Sequence, residues 1–319
     1  MSDLATTDVA LMLERHRVEL TGYCYRMLGS GFEAEDAVQE TFVRAWKAYD
    51  KFEGRASVRS WLYRIATNVC LDMLDASQRR ARPMELGPSS SPTAAVPEPL
   101  AENVWLGPVP DGRVLREEAD PAEMAVARES VRLAFVAALQ HLPAKQRAVL
   151  ILREVLAWSA QEVAELLDTS VASVNSALQR ARATLASSDV STDTLRPMDS
   201  DQLSLLARYV QAFEAYDLDS LLSLLHEDAT LNMPPLSLWL RGVADIRGWM
   251  TGTGCGCEGS RLVPVVANGH PAFGQYRQGG AQPWALIVLE ISDGRIATVN
   301  NFLDTERLFP MFGLPPVLN

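Results

Sequence analysis

One change in the spacing of apolar residues divides the chain and most constrains its fold. Up to residue 186, outside one proline-rich break, apolar side chains recur every three or four positions, as in amphipathic helices. Beyond residue 201 one more helical stripe is followed by strand-like runs at residues 230–233, 261–267, 284–290 and 295–302. The Asp293-Gly294 turn predicts a hairpin from the last two runs. We therefore predict a multidomain fold with helical domains first and an α+β domain last.

Two polar breaks set the predicted domain boundaries. The first is long and rich in Pro, Ser and acidic residues, and the second is a short segment around Pro197. A chain of 319 residues has room for two or three domains, each with its own core. The predicted division is a helical domain at 1–82, a linker at 83–123, a second helical domain at 124–188, a short linker at 189–200 and the α+β domain at 201–319.

The composition excludes several classes of protein. With 48% hydrophobic and 22% charged residues, the chain resembles neither a fibrous nor a disordered protein. No apolar run reaches the roughly 18 residues of a membrane helix, and the N-terminus carries acids where a signal peptide carries bases. Four cysteines in so long a chain are no disulfide framework. We expect a cytoplasmic protein with no membrane association.

The net charge of −11 conceals two basic islands. Residues 55–82 carry a net charge of +4 and residues 124–188 a net charge of +2, whereas the first linker carries −6 and residues 189–319 carry −7. Local positive patches attract a phosphate backbone whatever the total charge. DNA binding therefore remains open, although strong binding by the chain alone is not expected.

The sharpest local pattern is a helix-turn-helix at residues 158–185. Ser159 and Glu162 have the spacing of a capping box, and Asp168-Thr169-Ser170 forms a short polar turn between two helices. The second helix is predicted to turn polar residues outward, where they can reach a major groove. An ordinary helical hairpin with a solvated face is the alternative. The predicted DNA-facing residues are Ser173, Asn175, Ser176, Gln179, Arg180 and Arg182.

A second pattern covers residues 31–80, where an acidic helix face precedes an arginine-bearing helix. Asp36, Gln39 and Glu40 lie opposite the apolar stripe of the first helix, which by itself predicts only a solvated surface. The next helix carries Arg59, Arg64 and Asn68 away from its apolar stripe. Such side chains suit phosphate contact and the stacking of unpaired bases.

Residues 31–80 resemble the promoter-melting domain of the sigma-70 family in its extracytoplasmic-function group. The resemblance rests on AEDAVQETFVRAW and SWLYRIATNVCLDML, and LPAKQRAVLILREVLAWSAQEVAELL is similar to the second conserved domain of that group. It implies a sigma factor with core RNA polymerase and promoter DNA as partners. The implied polymerase contacts are the largest-subunit coiled coil, which would bind Asp36, Gln39 and Glu40, and the flap.

The same resemblance assigns residues to the two promoter elements. The loop 51–57 would capture a base flipped from the −10 element, at a cost of a few kcal/mol of unstacking. The following helix would hold the melted strand. The implied −10 set is Phe52, Arg55, Arg59, Ser60, Arg64, Asn68, Arg79 and Arg80, and the implied −35 set is Ser173, Asn175, Ser176, Gln179 and Arg180.

Residues 201–319 resemble the SnoaL-like, NTF2-like cone fold, which encloses a pocket. A small-molecule ligand is a possible partner there. A catalytic base would need a positioned partner, and no His–carboxylate pair is identifiable around His270. Cys255 and Cys257 alone fall short of a zinc site, so we expect no metal, no cofactor and no catalysis. The candidate pocket residues are Met233, Trp239, His270, Tyr276, Trp284, Asn300 and Phe302.

The sequence leaves three functional hypotheses. The first is a transcription-initiation factor that recognises −35 and −10 elements with core polymerase, modulated by its C-terminal domain. The second is a one-component ligand-responsive regulator that binds duplex DNA unaided, which leaves residues 31–80 without a function. The third is a cyclase or isomerase, which needs an acid–base pair that the sequence does not contain.

Overall fold

The structure is a computed structural model that describes residues 3–54, 56–75, 79–116, 121–186 and 200–318. The chain forms two compact units. The helical unit combines Met1–Arg80 with Asp111–Thr192, and the C-terminal unit combines Ala81–Pro110 with Asp193–Asn319. The predicted linker at 83–123 is therefore divided, with its first part in the C-terminal unit and its later part in the helical unit.

The helical unit is built from ten described helices, each an amphipathic segment of the sequence. Their bounds are α1 Asp3–Glu14, α2 Arg17–Leu28, α3 Gly31–Ala48, α4 Val58–Asp75, α5 Asp111–Val114, α6 Pro121–Glu129, α7 Leu133–Gln140, α8 Ala144–Leu150, α9 Ala160–Leu166 and α10 Val171–Ala186. A π-helical turn, Ile151–Val155, extends α8.

Helices α2, α3 and α4 pack around a core that contains two buried tyrosines. The rings of Tyr23 and Tyr63 meet edge to face with centroids 5.2 Å apart. The Tyr23 hydroxyl lies 2.8 Å from that of Thr67, which satisfies its polar atom inside the core. Ser30 caps the N-terminus of α3 by accepting the amide N–H of Glu33.

Helices α9 and α10 form the predicted helix-turn-helix. Ser159 and Glu162 make both bonds of the predicted capping box at the start of α9. Asp168 takes a left-handed conformation in the turn, with φ of 49°, and this lets the chain reverse within a few residues. The inner face of α10 is Val174, Leu178 and Ala181, all of them buried.

The C-terminal unit is a sheet with helices on both faces. Its strands are β1 Leu225–Asn232, β2 Trp239–Arg241, β3 Arg261–Ala267, β4 His270–Arg277, β5 Gln282–Ser292 and β6 Arg295–Phe302, and its helices are α11 Ser200–Glu214, α12 Leu218–Ser223, α13 Val243–Thr251 and α14 Thr305–Met311. The strand order is β2-β1-β6-β5-β4-β3. Only β1 and β6 run parallel among the described strands.

The two faces of this sheet are covered by different helices. Helices α11, α12 and α13 pack on one face and enclose the main apolar core. The other face carries Tyr276, whose ring meets Phe309 of α14 edge to face at 5.0 Å. Gly274 lies on that side as well, and an added Cβ would come within 2.6 Å of Leu314. The predicted α+β domain is confirmed, and the sequence analysis missed β2 and β4.

Residues 87–110 are held on the C-terminal sheet by main-chain hydrogen bonds. The Trp239 indole donates to the carbonyl of Gly87 at 3.0 Å, and Ser90 N–H donates to the Trp239 carbonyl at 2.7 Å. At the other end, Val109 N–H donates to the Asn268 side chain at 3.0 Å and its carbonyl accepts from Asn268 N–H at 3.1 Å. Trp105 is only 5% exposed. This segment is therefore structured rather than an extended spacer.

Within the described ranges, no helix is both long and apolar enough to cross a bilayer.

Candidate polymerase and promoter surfaces

The predicted polymerase-binding residues lie together on the exposed face of α3. Asp36, Gln39 and Glu40 are exposed, because the opposite stripe of the helix is buried in the core. Glu40 pairs with Arg44 at 2.7 Å, and Arg44 also reaches Asp72 of α4 at 3.1 Å. Both pairs are solvent-exposed, so they leave the acidic face accessible to a basic partner.

An apolar groove between α1 and α3 adjoins this acidic face. Its lining includes Leu13, Phe42, Val43 and Trp46, with Gln39 at its edge. Trp46 follows the three-to-four spacing of the apolar residues of α3, yet its side chain is 41% exposed. The groove is a surface that sequence periodicity missed. A signal was present, since an aromatic residue on the edge of an amphipathic stripe commonly marks an interface.

The loop assigned to base capture is anchored by an aromatic pair. The ring of Phe52 stacks on Trp61 at the start of α4, with centroids 4.7 Å apart. Ser60 N–H donates to the Ser57 hydroxyl at 3.0 Å, which caps α4. The capping side chain is therefore that of Ser57, and the Ser60 hydroxyl lies 2.9 Å from it. Arg55 lies outside the described residues.

Two of the predicted −10 arginines contact the helix-turn-helix domain inside the helical unit. Arg59 pairs with Glu19 at 2.9 Å, and its guanidinium lies over the rings of Tyr63 and Trp158 at 5.2 and 5.4 Å. Arg64 donates to the carbonyl of Leu166 at 3.2 Å, at the C-terminal end of α9. A cation is favoured there by the helix dipole.

The remaining −10 candidates differ in exposure. Asn68 is exposed on α4, and Arg79 lies 2.6 Å from Nδ1 of His141. Arg80 is only 5% exposed and is paired with Glu33. In this compact state the Arg80 side chain is not exposed to a phosphate backbone, so its assignment to the −10 element stays a prediction. Arg79 and Arg80 are adjacent in one basic cluster, so the sequence alone could not show that Arg80 is buried and Arg79 is exposed.

The predicted −35 residues form the outer face of α10. Asn175, Ser176, Gln179 and Arg180 are exposed. Ser173 N–H donates to the Ser170 hydroxyl at 3.2 Å, which caps the helix. In addition, Arg182 is paired with Glu154 at 2.5 Å, so it is less available than its neighbours.

In the helical unit the −10 and −35 candidates face one another across a groove of about 770 Å³. Arg64 and Asn68 of α4 line one side of this groove, and Ser173 and Arg180 of α10 line the other. Asn175, Ser176 and Gln179 lie outside this groove and are exposed. The helical unit is therefore a compact state in which part of each candidate set meets part of the other.

A buried arginine helps to hold this compact state together. Arg147 of α8 donates to the Met27 carbonyl of α2, to Oε1 of Gln140 at 2.8 Å and to the Leu142 carbonyl at 3.2 Å. Burial lowers the pKa of Arg147 to about 10, which leaves it charged at neutral pH. Its network joins the second helical domain to the first.

Replacing Arg147 with Met is expected to lower the free energy of unfolding by about 2–3 kcal/mol, because buried carbonyls lose their donors. Urea denaturation followed by circular dichroism measures the change. Arg15→Met alters an exposed arginine of the same unit and is expected to have little effect. Equal stability of the two variants would show that the Arg147 network contributes nothing net.

The C-terminal unit contains a cavity of about 260 Å³ between the sheet and its helices. Met233 and Trp284 line it, as predicted from sequence. Four other candidates were assigned to the wrong side. Tyr276, Asn300 and Phe302 belong to the opposite face of the sheet, and Trp239 binds the Gly87 carbonyl instead.

These errors share one cause, which is the uncertainty about which alternate residues of a strand face the cavity. Successive residues of a strand point to opposite faces, so an error of one position reverses every assignment. The cavity is lined by Gln275 and Arg277 of β4, where the prediction was Tyr276, and by Val299 and Asn301 of β6, where it was Asn300. A β-bulge opposite Gln275 and Tyr276 leaves Trp284 as the extra residue.

The other chemistry-bearing candidates of this unit are dispersed. His270 is buried at the start of β4 and outside the cavity lining. Cys255 is exposed, whereas Cys257 lines the cavity. Among the described residues, no three His, Cys, Asp or Glu side chains are grouped so as to hold a metal ion.

Comparisons with known proteins agree with this architecture. Residues 12–80 match sigma-70 region 2, residues 132–185 match sigma-70 region 4, and residues 206–299 match a SnoaL-like domain. The ECF RNA polymerase sigma factor SigG of Mycobacterium tuberculosis is 46% identical, over 98% of this chain and 85% of its own length. The ECF RNA polymerase sigma-E factor of Escherichia coli is 32% identical over 54% of this chain and 81% of its own length.

A solved structure supports the same fold. The crystal structure of the Mycobacterium tuberculosis extracytoplasmic function sigma factor SigJ matches with a TM-score of 0.60 at 23% identity, over 98% of this chain and all of its own. The class of protein is thus a transcription-initiation factor with two helical domains and an NTF2-like domain.

The chain belongs to the extracytoplasmic-function group of the sigma-70 family. As a sigma factor it binds core RNA polymerase, recognises −35 and −10 promoter elements and promotes DNA melting. This identity makes it a regulator rather than an enzyme. The one-component hypothesis is not favoured, since the region 2 match covers the residues for which that hypothesis has no function.

Proposed function

We propose that Asp36, Gln39 and Glu40 are the polymerase-binding residues of this sigma factor, and that their partner is the coiled coil of the largest subunit. The observation that carries this proposal is the exposed acidic face of α3, which remains accessible in the compact helical unit. Complementary charge directs encounter and fixes register at such interfaces. The polymerase flap is the proposed partner of the second helical domain.

The proposed −10 surface consists of Phe52, Arg59, Arg64, Asn68 and Arg79. Exposed cations, an amide and a stacked aromatic are the side chains that hold a single strand and its unstacked bases. The proposed −35 surface is the outer face of α10, where the polar side chains are short enough for a major groove. It consists of Ser173, Asn175, Ser176, Gln179 and Arg180.

Promoter binding requires the compact helical unit to open. The names of the two elements place them about 25 base pairs apart, which is about 85 Å along duplex DNA. Arg64 and Arg180 line the same groove, so in the compact unit the two surfaces are much closer together than 85 Å. The chain from Ala81 to Pro110 spans about 100 Å when fully extended, which is sufficient.

The C-terminal domain modulates this opening by holding the linker. Hydrogen bonds at Gly87 and Val109 retain most of the linker on the sheet, so only its short ends can extend. Release of this segment is therefore coupled to separation of the two reading surfaces. The cavity of the same domain is the proposed site for a small ligand. The domain itself catalyses no reaction, and the protein acts in the cytoplasm, where the polymerase is.

Arg180→Ala is expected to weaken promoter binding by the holoenzyme at least about ten-fold, because a side chain that reads a base contributes about 1–3 kcal/mol. A gel shift with and without core enzyme measures this, and no strong shift is expected without core. Arg15→Ala is the control. A promoter with a scrambled −35 element is expected to abolish the difference. An equal loss on the scrambled promoter would instead assign Arg180 to the phosphate backbone.

A further inference from the structure

The cavity of the C-terminal unit has one charged lining residue among those the structure describes. The lining is otherwise mostly apolar, with Tyr209, Phe213, Leu231 and Trp249 among its members. Arg277 enters this lining from the end of β4. A guanidinium in such surroundings is costly unless an acceptor completes its hydrogen bonds.

The position of Arg277 is fixed by its neighbours. Its guanidinium carbon lies 3.2 Å from the centroid of the Trp284 ring, which is a close cation–π stack. On another side, a Cβ added to Gly256 would lie 3.2 Å from Nη1 of Arg277, so a larger residue there would displace the guanidinium by a few tenths of an ångström. The bulge that carries Trp284 therefore serves to hold the guanidinium rigidly.

The hydrogen bonds of Arg277 are incomplete. Among the residues that the structure describes, its buried Nε atom has no hydrogen-bond partner, and Nη2 reaches the Cys257 sulfur at 3.6 Å. Within the described ranges of the chain, no carboxylate lies within salt-bridge distance of Arg277. By contrast, the amides of Gln275 and Asn301 are satisfied by Ser260 and by the Asn232 carbonyl. Of the described side chains that line this cavity, Arg277 is thus the one with an unfilled buried donor.

The linker between the two helical domains contributes to the mouth of this cavity. Val96 lines the cavity while being 51% exposed to solvent. The segment that carries it is fixed on both sides, by Ser90 N–H on the Trp239 carbonyl at 2.7 Å and by Leu100 N–H on the Pro235 carbonyl at 2.9 Å. An occupant of the cavity would therefore meet the linker directly.

We propose that the C-terminal cavity binds a small apolar carboxylate, with Arg277 as its anion-binding residue and the linker around Val96 as its cover. Arginine binds carboxylates through two parallel N–H···O bonds, and such a ligand would supply the anionic partner that the guanidinium of Arg277 lacks among the described residues. The volume of about 260 Å³ lies just below the range of about 300–1,000 Å³ of drug-sized sites, so the occupant has one or two rings or a short acyl chain. The regulatory consequence rests on the proposed function, because the linker joins the two promoter-reading domains.

Calorimetry of the full chain with naphthoate, cinnamate and decanoate tests this site. At least one carboxylate is expected to bind, and Arg277→Met is expected to weaken it about ten-fold or more, because a charge-assisted hydrogen bond is lost. Naphthalenemethanol, which has no charge, is expected to bind both proteins equally. Arg241→Met removes an exposed arginine of the same domain and serves as the matched control. Arg277→Lys retains the charge and is expected to recover part of the affinity.

Failure of all three carboxylates to bind the folded wild-type protein would overturn the proposal. Equal affinity of the wild-type and R277M proteins would overturn the assignment of Arg277. Hydrogen exchange tests the cover, since the amides of Ser90 and Leu100 are expected to exchange more slowly with the carboxylate present, and unchanged exchange would remove the linker from the site. Core-polymerase binding, measured on the same proteins without ligand, tests the sigma-factor function separately and is expected to be unchanged in R277M.

Discussion

Replacing both Asp36 and Glu40 with lysine is expected to abolish binding of the chain to core RNA polymerase. Truncating one partner of a buried interfacial charge pair costs about 2–5 kcal/mol, and reversal adds repulsion from the basic partner. The expected loss of affinity is therefore at least about a hundred-fold. Pull-down of purified core enzyme with the tagged chain measures it. Gln39 stays in place, so that only charge changes.

The folded state is not expected to change in this variant, because both side chains are exposed on α3. Glu227→Lys combined with Glu258→Lys, at two exposed acidic positions of the C-terminal unit, is the control for the same change in net charge. Retention of core binding by the double lysine variant, with the control behaving as wild type, would exclude this face as the polymerase contact.

Weakening the hydrogen bonds that keep the linker on the C-terminal sheet is expected to have a large effect on promoter binding. Asn268 takes φ of +56°, which glycine adopts without strain, so Asn268→Gly removes the side-chain acceptor of Val109 N–H without straining the backbone. The buried N–H that is left costs about 1–3 kcal/mol. If linker release accompanies opening, promoter binding by the holoenzyme is expected to strengthen about five-fold or more.

Hydrogen exchange and single-round transcription together measure this variant. The amide of Val109 is expected to exchange faster, with promoter occupancy rising in the same protein. Asp293→Gly is the matched control, since Asp293 has a similar φ of 50° in an exposed turn away from the linker. Faster exchange with unchanged promoter binding would separate linker docking from opening, and would contradict the proposed modulation.

The helical half of the chain was largely predictable from its sequence. Capping residues such as Ser159 and Glu162 act locally, and the three-to-four spacing of apolar residues reports which helix face is buried. The exposure of side chains at the edge of an apolar helix face was less predictable from the sequence. Trp46 follows the apolar spacing of α3 and is nevertheless exposed, whereas Arg80, which the family resemblance assigned to the −10 element, is buried.

The candidate cavity was the least predictable part. Its residues are selected by strand parity, and parity is set by pairing with neighbouring strands and by bulges. Tyr276 and Arg277 are adjacent in sequence, yet one meets Phe309 and the other stacks on Trp284 inside the cavity. The sequence alone does not show which of these two adjacent residues faces the cavity.

The sequence by itself determined the class of protein, because short-range features specify the helices, the helix-turn-helix and the acidic face of α3. Only the tertiary structure decided that the linker from Gly87 to Val109 lies on the C-terminal sheet and that residues of α4 and α10 meet across one groove. The physical reason is distance along the chain. Contacts such as that between Val109 and Asn268 join residues far apart in sequence, and they form only when the whole fold brings those residues together.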